Sequence, residues 1–140
     1  MSSQNPGQHR VIISVGSNID PERHIAAARE ILATDARLLV AADIIETTPV
    51  GYPHQPDFLN TAYLIETDLN PADFKVYLKS VEDRLGRVRG PIKSGPRTID
   101  LDMIAWDGQL LTDDYLHFDY VSIPVDQVAL EGGISLHFAD

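Results

Sequence analysis

Two Asx-Pro pairs, Asp20-Pro21 and Asn70-Pro71, each open an apolar stripe at helical spacing, and each stripe lies between strand-like runs. This alternation constrains the fold more than any other feature. An Asx side chain caps the first-turn amides, and a proline in the next position has no amide to satisfy, so both pairs read as helix starts. Ile25, Ala28 and Leu32 follow the first pair and predict a helix to about residue 33. Phe74, Leu78, Val81 and Leu85 follow the second, with Gly86 as the stop. The β-branched run 11–15 reads as a buried strand ending in a turn at Gly16-Ser17-Asn18. Further strands are expected over 38–48, 58–65 and 99–106. The order β-α-β-β-α-β predicts a ferredoxin-like α+β sandwich, with an antiparallel sheet and helices on one face. Beyond Trp106 the pattern weakens: 120–123 reads as a short strand and 124–130 as one or two helical turns.

The chain has 140 residues, 44% of them apolar, enough for one domain with its own core. Residues 1–8 are polar and read as a disordered tail, leaving 9–140 as the domain. The absence of cysteine excludes disulfides, thiolate zinc sites and cysteine nucleophiles, and fits the cytoplasm. No apolar run approaches the roughly 18 residues of a membrane span. A net charge of −10 argues against nucleic acid or anionic membrane as partners and leaves small molecules. A monomer is expected. The charge is uneven, however. Arg87, Arg89, Lys93 and Arg97 follow one another with no acid between them. That pattern fits a loop holding a small polyanion, and equally a solvated surface loop.

Next to this loop lies Thr98-Ile99-Asp100-Leu101-Asp102-Met103. In a strand, Asp100 and Asp102 share a face, with Cα atoms roughly 6.5 Å apart, while Ile99, Leu101 and Met103 enter the core. Two carboxylates so placed suit a hard cation whose shell is completed by phosphates and water. Asp-x-Asp is also an ordinary solvated strand face. The adjacent arginines favour phosphate chemistry, which needs positioning and charge neutralisation. Pro49 to Asp57 forms a long Pro-rich connection leading into Phe58 and Asn60, which share a strand face. An aromatic beside an amide can stack on a flat heterocycle and read its polar edge. The same pair also suits a core phenylalanine and a turn-stabilising asparagine.

Three blocks together resemble the 6-hydroxymethyl-7,8-dihydropterin pyrophosphokinase family. They are 14–18 (Ser-Val-Gly-Ser-Asn), 46–60 (from Glu-Thr-Thr-Pro-Val-Gly to Gln-Pro-Asp-Phe-Leu-Asn) and 86–102 (from Gly-Arg-Val-Arg to Gly-Pro-Arg-Thr-Ile-Asp-Leu-Asp). They occur in family order and together take in about residues 10–106, roughly 70% of the chain. The resemblance implies a ferredoxin-like fold and diphosphate transfer from ATP to the pterin hydroxymethyl group, releasing AMP. It implies two magnesium ions on Asp100 and Asp102, and catalytic roles for Arg87 and Arg97. It further implies pterin binding by Thr47, Thr48, Pro49, Val50, Phe58, Asn60 and Tyr120, and ATP binding by Glu82, Arg89, Lys93 and His117. The chain departs from the family pattern in three places. Ser94 replaces a loop tryptophan, Lys79 replaces a glutamine, and a shortened segment after residue 106 contains no Lys or Arg. The shortening keeps two alternatives in view: a relative acting on another acceptor, or a non-catalytic ATP- and magnesium-binding module.

Overall fold

The computed structural model describes residues 8–48, 54–87 and 98–139. In chain order the elements are β1 (His9–Ser17), α1 (Pro21–Asp35), β2 (Arg37–Ala41), β3 (Ile45–Thr47), β4 (Phe58–Thr67), α2 (Pro71–Arg84), β5 (Asp100–Trp106), β6 (Gln109–Leu110), α3 (Asp114–His117) and α4 (Asp119–Gly132). The expected βαββαβ order is present. Its strands lie in the order β2-β4-β1-β5-β6, with β3 also on β4. β1 is central and antiparallel to both β4 and β5.

Both helix starts hold, by different means. Asn70 caps α2, its Oδ1 accepting from the Asp73 amide at 2.8 Å. Asp20 occupies the cap position of α1 in a left-handed conformation (φ 46°) and makes no side-chain cap. Its carboxylate turns instead to Arg23. Gly86 follows α2 with φ 87°, a conformation that favours glycine.

The expected strand over 38–48 is two strands. β2 pairs with the far end of β4 and β3 with its near end. Across the break, the Ala42 amide still donates to Ala62 at 2.9 Å, and the Ala42 carbonyl accepts from Thr61 Oγ1 at 2.9 Å. β1 also runs further than expected, so Gly16 and Ser17 belong to the strand rather than to a turn.

Alternation along the central strands divides the core in two. Val11, Ile13, Val15, Tyr63, Ile65, Ile99 and Leu101 meet α1 and α2 on one face. Ile12, Ala62, Leu64 and Ile104 meet Val121, Val125 and Val128 of α4 on the other. Helices on one face therefore describes α1 and α2 only. The short strand expected over 120–123 is the first half of α4, and Pro124 sits inside that helix. A run of β-branched and aromatic residues before a proline reads locally as strand. Burial of one apolar stripe against the sheet overrides that preference here.

Candidate active site

α4 covers only part of its sheet face. Under it the sheet is apolar; beyond its N-terminal end the same face becomes polar. Register explains the arrangement. Gly16 of β1 lies opposite Asn60 of β4 on one side and Asp100 of β5 on the other. One step along, Ser14 lies between Ala62 and Asp102. Ser14, Gly16, Asn60, Asp100 and Asp102 floor a cleft of about 210 Å³, walled by Thr47, Thr48 and Phe58 on one flank and by Asp114, Tyr120 and Val121 on the other.

The β4 flank carries a flat-ligand geometry. Phe58 lines the cleft, and buried Asn60 donates from Nδ2 to Thr47 Oγ1 at 2.6 Å. A Cβ on Gly16 would stand 3.0 Å from Asn60 Oδ1 and 3.8 Å from Phe58 Cδ1, so the glycine is what admits the amide here. Tyr120 faces the cleft from α4 and stacks on Phe118, ring centroids 5.1 Å apart.

A second cavity of about 540 Å³ adjoins the first and shares Asp100, Asp102, Ile104 and Asp114 with it. Its other wall is α2, which presents Lys75, Lys79 and Glu82, followed by Arg87. Glu82 is buried and ties the site together. Its Oε2 accepts from the Leu101 amide at 2.8 Å and from Arg87 Nη1 at 2.7 Å. Arg87 Nη1 also donates to Asp100 Oδ1 at 2.9 Å. At this point β5 has β1 on one side and α2 on the other, so the Glu82 carboxylate takes the place of a neighbouring strand's carbonyl.

Asp102 faces the open cleft, yet protein crowds its carboxyl from the other sides. That burial, then the charges of Asp100 and Glu82 and a hydrogen bond with Asp100, push its pKa up to about 7, against the opposing pull of Arg87. Two carboxylates held this close on one strand face, one of them reluctant to ionise, form a set that a hard oxygen-seeking cation would relieve. The residues present therefore fit magnesium.

The structure thus brings together Thr47, Thr48, Phe58, Asn60, Glu82, Arg87, Asp100, Asp102 and Tyr120 around two joined cavities. His117 lies exposed at the end of α3 and lines neither cavity. Pro49, Val50, Arg89, Lys93, Ser94 and Arg97 fall outside the described residues. Ser14 and Gly16 belong to the first block of the resemblance but carried no assigned role, and Lys75 and Asp114 were not singled out; strand register and helix packing place all four at the cavities.

A sequence profile of the family described as 7,8-dihydro-6-hydroxymethylpterin-pyrophosphokinase (HPPK) matches residues 12–130. The chain belongs to the HPPK family. The match takes in every described residue of both cavities. A 2-amino-4-hydroxy-6-hydroxymethyldihydropteridine pyrophosphokinase from Bacillus subtilis is 38% identical over 107 residues, 74% of this chain and 64% of the relative. A protein of the same name from Methylorubrum extorquens is 38% identical over 110 residues, 76% of this chain and 69% of its own. The folic acid synthesis protein FOL1 of Dictyostelium discoideum is 29% identical over 137 residues, 91% of this chain and 21% of that longer protein. The chain thus spans 64% of the Bacillus HPPK and about a fifth of the Dictyostelium protein. No helix among the described residues is long and apolar enough to cross a membrane.

Proposed function

We propose that this protein transfers diphosphate from ATP to the hydroxymethyl group of 6-hydroxymethyl-7,8-dihydropterin and releases AMP. The observation that carries the reading is the position of Asp100 and Asp102 where two cavities meet, one walled by aromatic and amide groups and the other by cations. A flat heterocycle suits the first cavity and a nucleotide the second. The reacting atoms then meet over the two carboxylates.

On this reading Phe58 and Tyr120 hold the pterin ring by its faces, and Asn60 hydrogen-bonds its polar edge, with Thr47, Thr48, Pro49 and Val50 beside it. Thr47 fixes the Asn60 amide, so the edge is read by a group that cannot rotate freely. Asp100 and Asp102 would hold two magnesium ions. Magnesium held there would supply positive charge against the triphosphate and so make the β-phosphorus more electrophilic. The pterin hydroxyl oxygen forms its bond to that phosphorus as the bond from the phosphorus to the α–β bridging oxygen breaks; AMP leaves with that oxygen, and the hydroxyl proton passes to solvent water. Arg87, with Nη1 on Asp100 and Glu82, keeps its remaining guanidinium N–H groups for phosphate oxygens. Arg97 is the second catalytic arginine, and Arg89 and Lys93 complete the nucleotide contacts; His117, which lines neither cavity, has no part in this reading. The low pI of about 4.7 supports small-molecule partners rather than nucleic acid, and a cytoplasmic monomer is part of the same reading.

The test is AMP formation from ATP and magnesium with the pterin, using Asp100→Ala as control. AMP that needs both pterin and Asp100 supports the reading. ATP binding without turnover would favour the non-catalytic module, and turnover with a different hydroxymethyl heterocycle the diverged relative. The absence of Lys and Arg from residues 107–140 is what favours that last reading.

A further inference from the structure

The Gly16-Ser17-Asn18 block has a role so far only at Gly16. Ser17 and Asn18 line neither cavity, yet both are buried, at 0% and 3% exposure. Their side chains reach across the chain in opposite directions. The Ser17 hydroxyl donates to the Thr98 carbonyl at 2.6 Å. Asn18 Nδ2 donates to Gln55 Oε1 at 2.7 Å and to the Pro56 carbonyl at 3.0 Å, and Gln55 is itself buried.

The two targets occupy equivalent places. Thr98 lies two residues before Asp100, where β5 begins, and Pro56 lies two residues before Phe58, where β4 begins. Neither is yet inside the sheet, so no ladder bond fixes it. Each is bonded instead by a side chain at the end of the central strand, Ser17 being its last residue and Asn18 the next. The metal-side carboxylates and the ring-binding flank are thereby referenced to adjacent residues of one backbone.

We propose that Ser17 and Asn18 are positioning residues: Ser17 sets the approach of the Asp100–Asp102 strand, and Asn18 sets the approach of Phe58 and Asn60. The inference rests on the pyrophosphokinase reading for its consequence, since group transfer between two bound partners loses rate steeply when their separation drifts by a fraction of an ångström to an ångström. It predicts a crossed pattern. Asn18→Ala removes both bonds to the acceptor flank and raises KM for the pterin by about 10-fold, with neutral hydrogen bonds contributing roughly 3- to 10-fold each and only part of the loss reaching the ligand, and with little change in the magnesium requirement. Ser17→Ala does the reverse, raising the magnesium concentration for half-maximal rate by a similar factor while the pterin KM holds. Gln55→Ala removes one of the two Asn18 bonds and leaves the one to the Pro56 carbonyl, so it is expected to shift the pterin KM in the same direction by a smaller factor, and the double variant to be worse than Asn18→Ala by less than the sum of the two.

The deciding experiment pairs those kinetics with hydrogen–deuterium exchange on the free protein. Faster exchange confined to 55–60 in Asn18→Ala and to 98–102 in Ser17→Ala is the expected result, and it needs no turnover. Equal effects of both variants on both segments, or unchanged exchange in either, overturn the proposal. Wild-type protein that yields no AMP, with the crossed exchange pattern intact, would instead remove the pyrophosphokinase reading and leave the positioning in place. A thermal melt of each variant at the exchange temperature identifies global unfolding, and Ser17→Thr, which keeps the hydroxyl, is expected to restore the protection at 98–102.

Discussion

Asp102 carries the site's most perturbed charge among the described residues. Its folded pKa of about 7 stands above the ordinary 3.8, so the folded state holds this proton more tightly than the unfolded chain does. Stability from this group is therefore fully present below about pH 4 and is lost as pH rises through about 7. Because the residue faces an open cleft, solvent screens part of the effect. Asp102→Asn removes the ionisation. In EDTA the variant is expected to melt higher than wild type at pH 8 and to show a flatter melting profile between pH 5 and 8. A variant profile as steep as the wild type's would assign the pH dependence elsewhere. At Gly16 the constraint is steric. An alanine Cβ would press to 3.0 Å of Asn60 Oδ1, so the amide must shift by a few tenths of an ångström. Gly16→Ala is expected to weaken pterin binding about 10-fold, at a stability cost of about 1–2 kcal/mol, by titration and urea denaturation. Asp100, Asp102, Phe58 and Asn60 were legible in the sequence because period-two alternation puts each pair on one face. Ser14 and Asp114 were not, because what brings them there is strand register in one case and the seating of a short helix in the other.

Among the elements, the contact between α2 and β5 carries the nucleotide-side wall. The buried Glu82 carboxylate serves both the Leu101 amide at the strand edge and Arg87. Removing it orphans a buried N–H and loosens the arginine. Glu82→Ala should lower stability by about 1.5–3 kcal/mol, the range for hydrogen bonds to a charged group. Glu82→Gln should lose less, since an amide oxygen can still accept from Leu101. Urea denaturation of both separates the edge bond from the charge; equal losses would mean the charge alone matters. α1 and α2 were readable because each has an Asx-Pro start and a clean stripe. α4 was not. Tyr120 to Ile123 has strand-like residues, and Pro124 lacks the amide a helix interior uses. What makes it helical is the fit of Val121, Val125 and Val128 against Ile12, Ala62 and Leu64, which are far away in sequence. The family resemblance had already assigned Tyr120 to the pterin, and α4 is the element that delivers it to the cleft.

At the scale of the whole molecule, the cleft joins parts that the fold stabilises separately. One core binds α1 and α2 to the sheet and the other binds α4, and the cleft floor is the central strand between them. A ligand seated on Asp100 and Asp102 in the adjoining cavity touches β5 and α2 at once, so its binding energy adds to the cohesion of the folded state. A ligand at about 100 times its Kd contributes about 2.7 kcal/mol. For a chain of 140 residues, with an unfolding entropy of about 2 cal/mol/K per residue, that is a rise in Tm of about 9 °C. ATP with magnesium is expected to produce a rise of this order at pH 8, and EDTA to abolish it. Asp100→Ala should show little rise in either condition. The shift should shrink at pH 6, because the proton that Asp102 retains below about pH 7 competes with the cation for the same oxygens. A ligand-induced rise that is equal at both pH values, or that survives EDTA, would place the nucleotide's main hold on the cationic wall of Lys75, Lys79 and Arg87 and not on the paired aspartates.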